Sequence, residues 1–306
     1  MELVSRTDTG EERPHNEDAV WAETLDGWAV LVVADGMGGH SAGDVASQSA
    51  IESFVEFIHG KSDDEAGEVD EDGQTADAIE SNGGAETPLA ANDSQDVLRN
   101  GIETANATLQ AMVEEDHTLH GMGTTFVGAV IRDGNATIAN VGDSRAYHVT
   151  DHDIEQVTTD QSLVQQLVEQ GTIEPENADD HPQRHVLAQA LGTDETVAPD
   201  FYDLDLDGTL LLCSDGLSDE VPDEDIHEII TENESLEESA GKLVDRANEL
   251  DGSDNISVVL ARESASESGG VGSVRKRLSR LRRKVVPGER KQQKSRGARR
   301  YTARTC

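Results

Sequence analysis

An aspartate stands beside a glycine at the ends of three apolar, strand-like runs of the chain. The pairs are Asp35–Gly36, Gly142–Asp143 and Asp215–Gly216, and Asp254 comes just before a fourth run. The end of a strand holds a side chain in a fixed position, and an adjacent glycine lets backbone carbonyls and water come close. Clustered carboxylates need a cation to offset their repulsion, and oxygen ligands suit hard divalent ions. The pattern therefore predicts a divalent-cation site.

The ligand types favour Mg²⁺ or Mn²⁺ over zinc. The chain offers no spacing of histidines and cysteines that is typical of a zinc site. Its two cysteines, Cys213 and Cys306, exclude a four-cysteine zinc site and a disulfide scaffold. An ordinary turn explains any single Asp–Gly pair better than a metal site does, so the interpretation depends on the four acidic positions occurring together.

The elements that must position these acids can be predicted from periodicity. Apolar residues every four positions predict a helix over residues 45–58, and a second helix begins near residue 97. The pair Asp133–Gly134 predicts a hairpin turn. Apolar, β-branched runs predict strands over residues 28–34, 124–131, 136–149, 209–213 and 256–261.

Composition divides the chain into three regions. Residues 1–262 form the predicted domain, and within it residues 61–96 carry twelve acidic residues, one lysine and no aromatic residue. Such a segment has too little apolar surface to offset the entropy of ordering, so we predict a disordered insertion. A linker rich in Ser, Gly and Glu is predicted over 263–274, followed by a basic, disordered tail over 275–306.

The charge balance is extreme, with 63 acidic against 24 basic residues and a net charge of −39. Fourteen of the basic residues lie between Arg275 and Arg304. Nucleic-acid binding by the acidic body is therefore excluded, and the composition favours a cytoplasm of high salt. No apolar run approaches the roughly 20 residues of a membrane span, and no secretion signal precedes the first strand. We expect a cytoplasmic protein without a membrane span.

Six short segments of the chain carry a family resemblance. They are residues 13–18, 34–40, 123–125, 141–145, 214–217 and 254–257. These segments resemble the metal-dependent protein serine/threonine phosphatases, the type 2C or PPM family, in its bacterial-type form, and they occur in the family's order. The resemblance covers residues 3–262 apart from the acidic insertion. It implies an α+β fold, a four-layer α-β-β-α sandwich of two mainly antiparallel sheets flanked by helices.

The resemblance also implies a set of metal ligands for two or three Mg²⁺ or Mn²⁺ ions. Asp35 would bridge two ions, and the backbone carbonyl of Gly36 would join the second of them. Asp143, together with Asp215, would hold a third and weaker ion. The implied metal ligands are Asp18, Asp35, Gly36, Asp143, Asp215 and Asp254.

Two further residues are candidates for catalytic roles. Arg13 matches the family's phosphate-binding arginine, and its guanidinium suits a phosphate dianion. His40 is a candidate proton donor to the leaving alkoxide. The alternatives are a surface arginine in a turn and a histidine hydrogen-bonded in a polar loop. One position departs from the family, because Gln161 stands where many bacterial-type members have a histidine.

The function implied is hydrolysis of phosphoserine and phosphothreonine in proteins by metal-activated water, opposing a Ser/Thr kinase. Two alternatives stay open at this point. One is a catalytically inactive phosphatase-like module that binds phosphoproteins, and the other is a regulatory phosphatase with a single target. We expect a monomer. The basic tail is a candidate for docking an acidic protein surface, a nucleic acid or anionic lipid, or it is only a solvated extension.

Overall fold

The fold consists of two antiparallel sheets packed face to face with helices on both outer sides. The computed structural model describes residues 1–25, 27–38, 42–60, 87–91, 93–178 and 181–263. In these ranges one sheet has the strand order β1-β11-β10-β7-β8 and the other the order β2-β3-β5-β6-β9, with β4 paired to β3. The predicted α-β-β-α sandwich is confirmed.

The first sheet brings the two ends of the domain together. Its first strand pairs with its last from Glu2↔Arg262 to Asp8↔Ile256. The bounds are β1 Glu2–Asp8, β7 Arg145–Val149, β8 Ile154–Gln156, β10 Thr209–Cys213 and β11 Ile256–Arg262.

The second sheet contains the longest strand of the described residues, which extends past the predicted residues 28–34. Asp35 and Gly36 are thereby part of a strand and not of a loop after it. The bounds are β2 Asp18–Leu25, β3 Trp28–Met37, β4 Gly123–Thr124, β5 Phe126–Arg132, β6 Asn135–Val141 and β9 Asp200–Asp205.

Three apolar clusters separate the four layers. One lies between the second sheet and helices α1 and α3, one between the sheets, and one between the first sheet and helices α5 to α7. The predicted helical face of α1, with Ala46, Ala50, Phe54 and Ile58, is fully buried. The helices are α1 Ala42–Ile58, α2 Pro88–Ala91, α3 Ser94–Glu115, α4 Leu163–Glu169, α5 Asp215–Ser218, α6 Asp223–Glu232 and α7 Leu236–Leu250.

The predicted hairpin is confirmed, but the strand after it is shorter than predicted. Asp133 and Gly134 both have positive φ, 51° and 75°, and join β5 to β6. The single strand predicted over residues 136–149 is wrong. The chain leaves one sheet at Val141 and enters the other at Arg145, and Gly142 with φ 103° makes the turn between them.

The predicted insertion ends earlier than residue 96. Residues 61–86 lie outside the described residues, but α2 follows them and α3 already begins at Ser94. Leu89 of α2 is 1% exposed within the α1/α3 core, and Asp93 caps α3 by accepting a hydrogen bond from the Gln95 amide. The prediction of disorder is therefore wrong for residues 88–91 and 94–96, which are helical and are held on the core by Leu89 and the Asp93 cap.

The predicted linker from residue 264 onward and the basic tail over 275–306 lie outside the described residues. In the ranges that the structure does describe, no helix combines the length and apolar character needed to cross a bilayer.

Candidate metal centre and active site

The predicted acidic residues meet at one edge of the sandwich. Asp18 and Asp35 are direct partners across β2 and β3. Asp215 begins α5 directly after β10, and Asp254 lies just before β11, the neighbour of β10. Arg13, Asp35, Asp143, Asp215 and Asp254 line one cavity of about 590 Å³. The structure thus brings together side chains that are far apart in sequence and come from both sheets.

A buried serine links the two sheets at this edge. The Ser214 hydroxyl donates to Asp18 Oδ2 at 2.8 Å and accepts from the Ser257 amide at 3.0 Å. Ser214 is fully buried and precedes Asp215 directly. The position of Asp215 on one sheet is therefore tied to that of Asp18 on the other.

Thr125 has a similar role for Asp35. Its hydroxyl accepts from the Asp35 amide at 2.9 Å and lies 2.7 Å from the Ser144 hydroxyl. Its own amide donates to the Asp35 carbonyl at 2.9 Å. Ser144 follows Asp143, so Thr125 holds the backbone of one candidate ligand close to the turn that carries another.

The carboxylates at this edge are buried close to one another, which raises the pKa of four of them. Burial raises the pKa of Asp18 to about 7, against the lowering effect of hydrogen bonds from Ser257 and Ser214. Burial, and then the charge of Asp254, raise the pKa of Asp215 to about 6. Burial followed by the charge of Asp18 raises the pKa of Asp35, and burial followed by the charge of Asp215 raises that of Asp143. In these four groups burial and the neighbouring charges shift the pKa towards the neutral form, and a bound cation would act in the opposite direction.

Close backbone packing explains Gly36. A Cβ at this position would lie 2.0 Å from the Gly43 carbonyl oxygen and 2.5 Å from that of Glu17, so only glycine fits. The Gly36 amide donates to the Glu17 carbonyl at 3.0 Å. The β3 strand end is thereby fixed between the β1–β2 loop and the start of α1.

Arg13 lies at the rim of the cavity and contacts a predicted ligand. Its Nη2 is 2.6 Å from Asp254 Oδ2, and its Nε donates to the Ser253 carbonyl at 3.1 Å. The Arg13 side chain is 42% exposed. The guanidinium therefore belongs to the site and is not an isolated surface arginine.

A half-buried ion pair supports the turn that carries Asp143. Nε and Nη2 of Arg145 donate to both carboxylate oxygens of Asp160 at 2.8–3.1 Å. Arg145 Nη1 also donates to the hydroxyl of the fully buried Tyr147 at 3.3 Å. The last residue of the predicted segment 141–145 thus fixes the start of β7 and touches no ligand itself.

His40 lies outside the described residues, so the structure does not test its predicted role. Sequence reasoning missed His185 and Asp219, whose ligand atoms lie with one of Asp215 within 4.8 Å of one another. His185 Nδ1 is 3.7 Å from Asp219 Oδ2. Asp219 stands four residues after Asp215, but nothing in the sequence signals that His185 reaches the same place.

The residues present fit a divalent cation. Asp215 Oδ1 is buried without a hydrogen-bond partner, although a buried carboxylate oxygen normally has one. The donors that converge at the cavity are oxygens of carboxylates and of a closely packed backbone, which are the ligands that Mg²⁺ and Mn²⁺ prefer. A four-layer sandwich with this cluster at one edge defines the class of metal-dependent phosphohydrolases to which the sequence segments pointed.

Comparison with known proteins agrees with this class. The profile of the family described as Protein phosphatase 2C matches residues 11–252. The serine/threonine phosphatase stp of Listeria monocytogenes is 36% identical over 272 residues, which cover 88% of this chain and 98% of that protein. The chain therefore belongs to the protein phosphatase 2C family, and it is a serine/threonine protein phosphatase.

Solved structures show the same fold. Serine/threonine phosphatase Stp1 from Staphylococcus aureus superposes with a TM-score of 0.70 at 36% identity, covering 86% of this chain and 95% of that one. The catalytic domain of PstP, solved in complex with two manganese ions, gives a TM-score of 0.66 at 32% identity, covering 85% and 96%. The predicted family, fold and enzyme class are thus confirmed.

Proposed function

We propose that the cavity at the sandwich edge is the catalytic site and that its carboxylates hold Mg²⁺ or Mn²⁺. The observation that carries this is the convergence of Asp35, Asp143, Asp215 and Asp254 on one cavity, with an oxygen of Asp215 left unpartnered. Such ions, when bound, activate water for attack on phosphorus.

Asp35, Asp215 and Asp254 are the central ligands in this proposal. Asp35 pairs with Asp18 across β2 and β3 and lines the cavity with the other acids; burial, and then the charges of those acids, raise its pKa. Asp18 lies deepest, at 6% exposure, and its fixed hydrogen bond from Ser214 suits a residue that orients a ligand or a water. The carbonyl of Gly36 completes the set.

Arg13 binds the substrate phosphate. A guanidinium offers several N–H donors in a plane, which matches the oxygens of a phosphate dianion. Because Arg13 already points into the acidic cavity, it places a positive charge where a dianion must approach five carboxylates. It also orients the phosphorus relative to the site of water activation. No side-chain nucleophile is required for this reaction.

The leaving seryl or threonyl oxygen needs a proton, and His40 stays our candidate donor. Asp143 with Asp215 is the proposed site of a third, weaker ion. The PstP structure solved in complex with two manganese ions supports Mn²⁺ as the metal and a count of two for the central ions.

The substrates proposed are phosphoproteins of a Ser/Thr kinase system in the cytoplasm. The relatives are named serine/threonine phosphatases, which supports phosphoserine and phosphothreonine as the substrate groups. A monomer is proposed, and a docking role for the basic tail rests on its charge alone, fourteen basic residues opposite an acidic body.

A crystal soaked in MnCl₂ tests the ligand assignment. Anomalous scattering should place manganese within coordination distance of Asp35, Asp215 and Asp254, and Asp254→Asn should lose at least one ion at the same Mn²⁺ concentration. Asp203→Asn, on the exposed face of β9, is the matched control. Manganese bound elsewhere, with this cavity lacking it, would overturn the assignment.

A further inference from the structure

Gln161, the residue that departs from the family's usual histidine, lies between the turn of Asp143 and the segment that follows α4. We call residues 170–199, between α4 and β9, the flap segment. Gln161 precedes α4 by two positions and is partly buried. Its side chain bonds to Gln189, one of the residues that line the cavity of the acidic cluster.

All four hydrogen-bonding positions of the Gln161 carboxamide are used. Its Oε1 accepts from the Gly142 amide at 2.9 Å and from Gln189 Nε2 at 2.8 Å. Its Nε2 donates to the Asn140 carbonyl at 3.2 Å and to Asp200 Oδ2 at 2.8 Å. A carboxamide has two donors and two acceptor lone pairs, so this group is saturated. A neutral imidazole, with one donor and one acceptor, could satisfy two of the four partners.

The backbone of Gln161 adds two further links. Its amide donates to the Gly142 carbonyl at 2.9 Å, and its carbonyl accepts from the Ala188 amide at 2.7 Å. Ser162 and Leu187 form an isolated bridge next to it. One residue therefore clamps Gly142 on both sides and pairs with the flap segment three residues after His185.

The turn that Gln161 clamps has little freedom of its own. Gly142 has φ 103°, and a Cβ there would lie 2.7 Å from the Thr125 side chain, so the turn packs directly on the residue that bonds to Asp35. Asp143 follows immediately. A displacement of Gly142 would therefore move Asp143 and press on the Thr125–Asp35 contact.

From these contacts we infer that Gln161 is a positioning residue that sets the affinity of the metal site containing Asp143 and couples that site to the flap segment. The inference rests on the proposed role of Asp143 as a metal ligand. Gln161 touches no reacting atom. It acts through the Gly142 amide on one side and through Gln189 and Ala188 on the other.

Manganese binding tests this, with free Mn²⁺ measured by electron paramagnetic resonance. Gln161→Ala should weaken the weakest of the bound ions at least tenfold and leave the tighter ions within twofold. Gln166→Ala, which removes an exposed carboxamide five residues further along the chain on α4, should bind as the wild type. Excess Mn²⁺ should restore the kcat of Gln161→Ala but not that of Asp143→Asn.

The Asp143→Asn variant distinguishes the ligand role of Asp143 from the positioning role of Gln161. If Asp143→Asn loses the weakest ion while Gln161→Ala binds like the wild type, the inference about Gln161 is overturned and the ligand role of Asp143 stands. If Asp143→Asn binds every ion like the wild type, the proposed ligand role fails, and the inference fails with it.

If Gln161→Ala does not fold, a second pair of substitutions, Gln161→Glu and Asp200→Asn, tests the same inference through charge. Gln161→Glu sets a carboxylate against the Asn140 carbonyl and the Asp200 carboxylate, so Mn²⁺ affinity at the weak site should fall at least tenfold. Adding Asp200→Asn supplies a donor to the new carboxylate and should recover at least threefold of that loss, while Asp200→Asn alone should stay within twofold of wild type. No recovery in the double variant would overturn the inference.

Discussion

Nη2 of Arg13 lies 2.6 Å from Oδ2 of Asp254, which joins the proposed phosphate-binding residue to a proposed metal ligand. Both side chains are partly exposed, at 42% and 35%. A cation at Asp254 and a phosphate at Arg13 would each draw its partner away from this ion pair. Arg13 therefore links the β1–β2 loop to the turn before β11 at the rim of the proposed catalytic site.

Arg13→Ala should raise KM for a phosphopeptide about 10- to 100-fold and change kcat less. The reason is that a lost pair of charge-assisted hydrogen bonds to bound phosphate corresponds to roughly 1.5–3 kcal/mol. Arg6→Ala, an exposed arginine paired at 3.8 Å with Glu237, is the control and should leave both constants unchanged. Steady-state kinetics decide the matter, and a loss confined to kcat would contradict the role.

Arg145→Ala should destabilise the protein by about 3 kcal/mol, since it leaves the poorly solvated Asp160 without its partner. The pair is 21% and 19% exposed, whereas Arg6 and Glu237 are 48% and 72% exposed. Urea unfolding should therefore place Arg6→Ala within about 0.5 kcal/mol of the wild type. Equal stability of the two variants would show that the Arg145–Asp160 pair is not structural.

The metal-free protein should lose stability as the pH rises from about 4 to above 7. The raised pKa values of Asp18, about 7, and Asp215, about 6, mean that the folded state keeps protons that the unfolded state releases near its ordinary value of 3.8. Unfolding then releases protons, so the free energy of unfolding falls as the pH rises. Each of these carboxyl groups contributes up to about 1.4 kcal/mol for every pH unit.

Thermal unfolding in chelator across this pH range measures the effect. Saturating Mn²⁺ should remove most of the slope, because the cation replaces the protons. A melting temperature in chelator that rises from pH 5 to pH 8 would contradict the pKa directions given for the cluster.

Residues 61–86 should be removable without loss of activity. A Cβ at Gly60 would lie 3.6 Å from Cδ of Pro88, so the ends of the deleted segment are close enough for a short Gly/Ser linker to Thr87. Deletion through residue 96 should instead destabilise the protein by about 2–3 kcal/mol, because it also removes buried Leu89 and the Asp93 cap. Melting temperatures and phosphopeptide turnover of both deletions provide the test, and equal stability of the two would refute the structural role of α2.

The parts of the fold that the sequence predicted are those set by local patterns. The Asp133–Gly134 hairpin follows from two residues that tolerate positive φ, and the buried face of α1 follows from its spacing of apolar residues. The sheet change at Gly142 was missed because apolar residues continue on both sides of it. Strand pattern shows burial, and it does not show which sheet a strand joins.

In the site, too, the residues that belong to local motifs were predictable and the contacts between distant parts of the chain were not. Asp35, Asp143, Asp215 and Asp254 were predicted because each stands at a strand end beside a short motif, and the cavity contains all four. The links of Gln161 to Gly142, Gln189 and Asp200 were not predictable, since they join residues 19 to 39 positions apart through side-chain geometry. His185 was missed for the same reason.

The most direct test of the account is turnover of a phosphothreonine peptide, beside a phosphotyrosine peptide, by wild type and Asp35→Ala in Mn²⁺, Mg²⁺ or chelator. If metal ions held by these carboxylates activate the attacking water, the phosphothreonine peptide is hydrolysed with metal and not in chelator, and Asp35→Ala loses at least ~10³-fold in kcat/KM. Activity that persists in chelator, or Asp35→Ala within tenfold of the wild type, would contradict this role of the metal ions.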